Sequence, residues 1–298
     1  MNDLEKKTPR FGPGGNGEAF YRAGKKSTKE VAAWLREIGL DAYEYEAGNG
    51  ITAKEATLRE IGEECRRHGI AVSFHAPYFI SLSGVEEEKR LRSVEYIRES
   101  LCAAACLGAR TIVVHCGSAG KIRREEAMRF SADTLYRTLA SVPDNGVQIG
   151  IETMGKKNQL GTLEEVLTLC ALDARLVPVV DFGHLNARDC GGVFETAEDY
   201  TRLFDRVANR LGDAIARQLH CHFSRIEWTA SGEKKHLTFA DTMYGPAYLP
   251  LCEALARDNL CPTVICESAG TQSEDALAMK TAWQSFSAAM HGEEELRR

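Results

Sequence analysis

Histidines and acidic residues recur in this sequence at one kind of place, the last position of short runs rich in Val, Ile and Phe. Val72-Ser73-Phe74-His75, Val113-Val114-His115, Gly150-Ile151-Glu152, Val179-Val180-Asp181, Leu219-His220-Cys221-His222 and Val264-Ile265-Cys266-Glu267 all show it. Side chains alternate across a strand. Where Ile112 and Val114 face one way, Val113 and His115 face the other, and Asp181 points away from the side taken by Val180. Imidazoles and carboxylates crowded together would repel or stay unsatisfied unless a cation sat between them. A divalent metal is the chemistry this pattern points to, and mixed His and carboxylate ligands suit zinc, manganese or iron better than magnesium or calcium. His220 points the same way as His222 one layer deeper and reads either as support behind the metal ligands or, by a small margin, as a core histidine, while His68 and His291 read without a role.

For six strand ends to meet, the strands must be parallel and arranged around one mouth. The apolar runs predict strands at about 10–12, 42–46, 70–75, 110–115, 147–152, 176–181, 218–223 and 262–267, with helical stretches such as 29–38, 55–68, 87–107, 124–140 and 196–211 between them. Gly39, Gly69 and Gly108 follow three of those stretches, where a helix turning into the next strand favours glycine. Repeated strand-then-helix units without a linker predict an α/β fold, a single (β/α)8 TIM barrel over residues 1–298 with 1–8 and 290–298 as flexible tails. Segment 224–242 reads as a large loop. Enzymes of this architecture carry their active sites where the strands end.

With 298 residues, 44% of them hydrophobic, the chain can bury a core without disulfides. Its ten cysteines are scattered singly with no CxxC pair, which predicts reduced thiols, mostly in the core. Met1 to Arg10 is polar and charged, so a soluble, cytoplasmic monomer with no membrane partner is expected. A net charge of −6 is not the footprint of a generic nucleic-acid coater. Lys25-Lys26, Lys121, Arg123-Arg124, Lys156-Lys157, Arg225 and Lys234-Lys235 nevertheless fall beside strand ends, which on a barrel gathers them into a basic ring around the mouth.

Taken together, these pieces resemble the endonuclease IV family, the metal-dependent AP endonucleases (family 2) of the xylose-isomerase-like barrel superfamily. The resemblance runs from the second to the eighth strand. It is carried by Phe74-His75-Ala76-Pro77-Tyr78-Phe79-Ile80-Ser81-Leu82, Val114-His115-Cys116-Gly117-Ser118, Ile151-Glu152-Thr153-Met154, Asp181-Phe182-Gly183-His184, His222-Phe223-Ser224 and Glu267-Ser268-Ala269-Gly270. It implies that His75 and His115 bind one zinc, that Glu152 bridges it to a second, and that Asp181, His222 and Glu267 complete the second. His184 and His236 would belong to a third. The family has an Asp two residues before that last His, and this chain has Lys234, an ammonium that cannot ligate while protonated. Two zincs are therefore expected, with a third position in doubt unless Lys234 supplies the charge itself or Glu227 stands in as a ligand.

The implied reaction is hydrolysis of damaged double-stranded DNA on the 5′ side of an abasic site by a hydroxide bridging two metals about 3.5–4 Å apart. Glu152 and Glu267 would be the catalytic carboxylates. Tyr78 and Phe79 match loop residues that enter DNA at the lesion, and Lys156, Lys157, Arg225 and Lys234 of the basic ring would meet the backbone.

Two rivals bear on the same residues. Sugar isomerases and epimerases of the superfamily hold one metal at the later strand ends, where Glu152, Asp181, His222 and Glu267 would suit a small sugar equally well. His75 and His115 argue for a second metal that such an enzyme does not require. A non-catalytic barrel with structural metal is the other rival, but structural zinc sites are closed by four ligands, often cysteine, and are not spread over six strands. Gly12-Pro13-Gly14-Gly15-Asn16-Gly17 satisfies G-x-G-x-x-G, yet it lacks a clear βαβ context and reads as the first loop of the mouth rather than a dinucleotide site.

Overall fold

In a computed structural model that describes residues 8–296, the chain forms a single (β/α)8 TIM barrel. The strands are β1 (Arg10–Pro13), β2 (Ala42–Glu46), β3 (Ala71–His75), β4 (Thr111–His115), β5 (Gln148–Glu152), β6 (Leu176–Asp181), β7 (His220–Phe223), β8 (Ile226–Thr229), β9 (Gly232–His236) and β10 (Thr263–Cys266). Eight of them make one parallel sheet in the order β1-β10-β7-β6-β5-β4-β3-β2. The seam between β1 and β2 closes through Asp41 N–H to the Phe11 carbonyl (3.1 Å) and Gly15 N–H to the Glu44 carbonyl (2.9 Å). Gly12 is required there, because a Cβ at that position would sit 1.7 Å from the Ala42 carbonyl oxygen.

Alternation within each strand separates two environments. Ile112, Val114, Ile149, Ile151, Val180 and Val264 join the core between sheet and helices, while Val113, Val179 and Ile265 are equally buried outside that cluster, in the barrel interior. The helices turn an apolar stripe to the sheet. In Glu55–His68 the buried residues are Leu58, Ile61, Gly62 and Cys65, at helical spacing, and Gly69 ends the helix with φ +69°.

Two expectations change, and the cysteines stand as expected. Segment 224–242 is not only a loop, since β8 and β9 pair in an antiparallel hairpin. The C-terminal helix Gln272–Leu296 continues through 290–296, where a tail is expected; residues 1–7 and 297–298 of the expected tails lie outside the described residues. All ten cysteines are free, six of them buried. Among the described residues no helix is long and apolar enough to cross a membrane.

Candidate metal centre

β3, β4, β5, β6 and β7 end at the same mouth, and β10 leads directly into Glu267, so the strand-end residues meet. His115 Nε2 lies 3.1 Å and His75 Nε2 3.6 Å from Glu152 Oε2. The other carboxylate oxygen, Oε1, lies 3.0 Å from His222 Nδ1, which is also 3.4 Å from Glu267 Oε1. Two groups thus share Glu152: His75, His115 and Glu152 on one side, and Glu152, Asp181, His222 and Glu267 on the other, each with its ligand atoms close enough to hold one ion. Glu152 is 1% exposed, and its Oε2 and Asp181 Oδ2 are sealed from solvent with no hydrogen-bond partner. Buried anionic oxygens without a partner fit cations that would sit between them.

The ring hydrogen bonds also fit metal ligation. A carbonyl only accepts, so a ring nitrogen facing one carries the proton and leaves the other nitrogen as a ligand. His75 Nδ1 faces the Ala76 carbonyl at 2.8 Å, and His184 Nδ1 faces the Thr153 carbonyl at 2.9 Å. In each the free Nε2 points at the carboxylates.

A third group lies beside the first two. His184, Glu233 and His236 bring their ligand atoms together, with His184 Nε2 3.5 Å from Glu233 Oε2. This fills the gap expected at Lys234. In β9 a bulge opposite Glu227 sets Lys235 against Glu227 and Glu233 against Trp228, leaving Lys234 as the extra residue. Residues three apart in a regular strand face opposite ways, but the extra residue turns Glu233 and His236 to the same side. Lys234 and Glu227, the two groups expected to compensate, pair instead with each other at 2.5 Å, and neither enters the site.

The electrostatics of the metal-free centre follow from this crowding. Burial disfavours the charged imidazolium of His75, but Glu46, Glu152 and Glu44 override it and hold His75 up to about 10. His184 is likewise buried, yet Asp181, Glu152 and Glu233 raise it to about 9. Burial, with Glu152 and Asp181 adding repulsion, pushes Glu267 up to about 8 even though His222 opposes the shift. Glu152 moves the other way: burial alone would raise it, but His222 and His115 hold it well below the usual carboxylate range. Protons on His75, His184 and Glu267 thus occupy, at neutral pH, the charge balance that divalent cations would take over.

Of the residues expected to meet DNA, Tyr78 and Lys156 line the mouth, and Phe79 follows Tyr78 outside its lining. Tyr78 stacks on His115 (centroids 5.4 Å apart), reaches Glu46 Oε2 at 3.3 Å and lies over Gly48; Phe79, half exposed, packs edge-on against Tyr96; Lys156 is exposed on the rim. Lys157 bends toward Cys190 at 3.5 Å. Arg225 does not face the mouth, because its guanidinium donates to the Tyr244 carbonyl at 2.8 Å, and Lys234 is held by Glu227. Arg124, from the expected ring, is engaged by Glu165. The mouth itself is a cavity of about 620 Å³ whose walls include Gly14, Glu46, Tyr78, Lys156, Glu233 and Gln272. Glu44, Glu46 and Glu233 are the residues the sequence reading misses.

A (β/α)8 barrel with adjoining His and carboxylate groups at its strand ends is an architecture that carries active sites at this face, and the groups could hold metal ions. The chain belongs to the xylose isomerase-like TIM barrel family, whose model matches residues 32–284. It is 31% identical to an uncharacterized protein of Methanocaldococcus jannaschii over 83% of this chain and 88% of that one. A probable endonuclease 4 of Acholeplasma laidlawii is 29% identical over 55% of this chain and 56% of its own length, so the chain matches little more than half of that relative. A solved D-tagatose 3-epimerase-like protein superposes with a TM-score of 0.69 at 20% identity, covering 95% of this chain and 99% of that one, a likeness of fold alone.

Two outcomes are expected from metal binding. Because each ion displaces protons from His75, His184 and Glu267, calorimetric titration of metal-free protein with zinc in buffers of different ionisation enthalpy should show proton release at pH 7, and affinity should rise with pH. Stability of the metal-free protein should move oppositely: the part owed to His75 is complete below its ordinary value of 6.5 and is lost as pH climbs to about 10. Heats independent of buffer would contradict both. Separately, Glu233→Gln should lower the zinc retained per chain by one ion in elemental analysis, whereas Lys234→Ala should leave it unchanged.

Proposed function

We propose that this chain is a metal-dependent phosphodiesterase of the endonuclease IV type, hydrolysing damaged double-stranded DNA on the 5′ side of an abasic site. The observation that carries the reading is the division of Glu152, with one oxygen toward His75 and His115 and the other toward His222. A single-metal sugar enzyme has no use for the His75–His115 group, whereas a pair of adjacent cations suits a phosphodiester. The likeness to a probable endonuclease 4 supports the same reading. Zinc fits the ligand set, with manganese or iron as alternatives, and the convergence of a third group around Glu233 supports three ions rather than two.

Divalent ions held there supply Lewis acidity to a phosphoryl oxygen and an acidified water for in-line attack. The chain's own residues do the rest. Glu152, rigid and buried, keeps two positions at a fixed separation, while Asp181, His222 and Glu267 close the second and His184, Glu233 and His236 the third. Glu267, in the wall of the mouth, would orient the attacking water while helping to hold the second ion. Tyr78 and Phe79, each half exposed, would offer their rings to the space where a base is missing, and Lys156 would meet a backbone phosphate. The chain acts as a monomer in the cytoplasm.

One observation favours the sugar-enzyme alternative. Glu46 opens onto the mouth while Arg124, Arg225 and Lys234 are drawn into other contacts, which leaves a rim less basic than a polyanion would prefer. The two readings separate on one assay. Zinc- or manganese-loaded protein should nick a duplex carrying a single abasic site and leave an intact duplex whole, and Glu152→Gln should slow the nicking by at least about a hundredfold, a loss no smaller than that from ligand-supporting residues. No nicking by fully loaded protein, together with interconversion of ketose epimers, would establish the alternative.

A further inference from the structure

Glu44 lies at the middle of β2 with its side chain inside the barrel and completely buried. It pairs in register with Ser73, and its carboxylate comes together with those of Glu46 and Glu267. An ionised carboxylate buried this deeply persists only when it is well partnered. Its partners are two imidazoles of one strand. His220 Nε2 and Glu44 Oε2 are 2.8 Å apart, and Glu44 Oε1 lies 2.9 Å from His222 Nε2. Glu44 Oε1 and His222 Nε2 are both sealed from solvent with no formed hydrogen bond, and each has the other 2.9 Å away as a partner within reach. The opposite edge of the same ring, Nδ1, is the edge turned to Glu152 and Glu267.

We propose that Glu44 is a positioning residue for the metal centre: it holds the Nε2 proton of His222, fixes that tautomer and ring plane, and aims Nδ1 at the second metal position, with His220 bracing Glu44 from behind. A carboxylate behind a metal-bound imidazole orients the ligand and raises its basicity, and losing such a partner weakens metal binding by about tenfold to a hundredfold. Of the two readings the sequence leaves open for His220, the role takes the one that places it behind the metal ligands, for His220 is tied to the centre through Glu44. It rests on the metal-centre reading and holds for either substrate class, since nothing in it depends on what enters the mouth.

The test reads metal and tautomer rather than turnover. In zinc-loaded protein, long-range nitrogen–proton NMR should show His222 protonated at Nε2 only, a measurement on the unaltered chain that does not depend on a variant folding. In Glu44→Gln the affinity of the most weakened zinc, titrated against a chelator, should fall by about tenfold to a hundredfold, and Glu44→Asp should recover part of it. His222 protonated at Nδ1, an unchanged affinity in a folded Glu44→Gln variant, or an additional ion bound by Glu44, His220 and His222 would overturn the proposal. If the unaltered protein binds no divalent metal at all, the metal-centre reading itself fails, a result distinct from these.

Discussion

A carboxylate sealed inside a protein persists in ionised form only with positive charge against it, and Glu152 concentrates that constraint in this barrel. Its two oxygens face different groups of side chains, and among the described residues the cationic partners close to it are the histidines His75, His115, His184 and His222. In the metal-free state imidazolium protons supply the balance, which is why His75 and His184 are drawn far above their ordinary range while Glu267 keeps its proton. Everything else around the mouth serves that balance. β5 carries Glu152 at its end, and the strands on either side contribute one member of each group it joins, His115 and Asp181.

The third group depends on an addition to the barrel rather than on the barrel itself. The β8–β9 hairpin is anchored on the loop after β5, where Glu233 N–H donates to the Gly155 carbonyl and Lys157 N–H to the Ser231 carbonyl. That loop is held in turn by Arg188, whose guanidinium donates to the carbonyls of Met154, Lys156, Lys157 and Gln159. A Cβ on Gly155 would come within 2.6 Å of Glu233 Cβ, so glycine lets the hairpin approach closely enough to deliver its carboxylate. The bulge then decides which residue is delivered. One residue of slip replaces an outward lysine with an inward glutamate, because side chains in a strand have a period of two.

Much of this was legible beforehand because strand ends, parity and crossover helices are local signals. The ends of β3 to β7 and their residues at the mouth follow from runs such as Val113-Val114-His115, whose apolar partners point outward to the helices. Glu44 and Glu46 were not legible for the converse reason. Ala42-Tyr43-Glu44-Tyr45-Glu46 alternates as a half-exposed strand would, and the sequence alone does not say that the polar side of a barrel strand faces the interior. Glu233 was hidden by the bulge, whose position depends on pairing across the hairpin. The basic ring thinned for a third reason: Arg124 finds Glu165 forty-one positions away and Arg225 finds the Tyr244 carbonyl, contacts set by tertiary proximity.

The central claim is that cations at three adjoining positions organise the mouth, with Glu152 shared between two of them. The most direct test is an anomalous-difference map collected at the zinc edge from crystals of zinc-loaded protein. Three peaks are predicted: one among His75, His115 and Glu152, one among Glu152, Asp181, His222 and Glu267, and one among His184, Glu233 and His236. A single peak in the second group, with His75 and His115 turned away and no density beside Glu233, would contradict the account and leave a one-metal barrel.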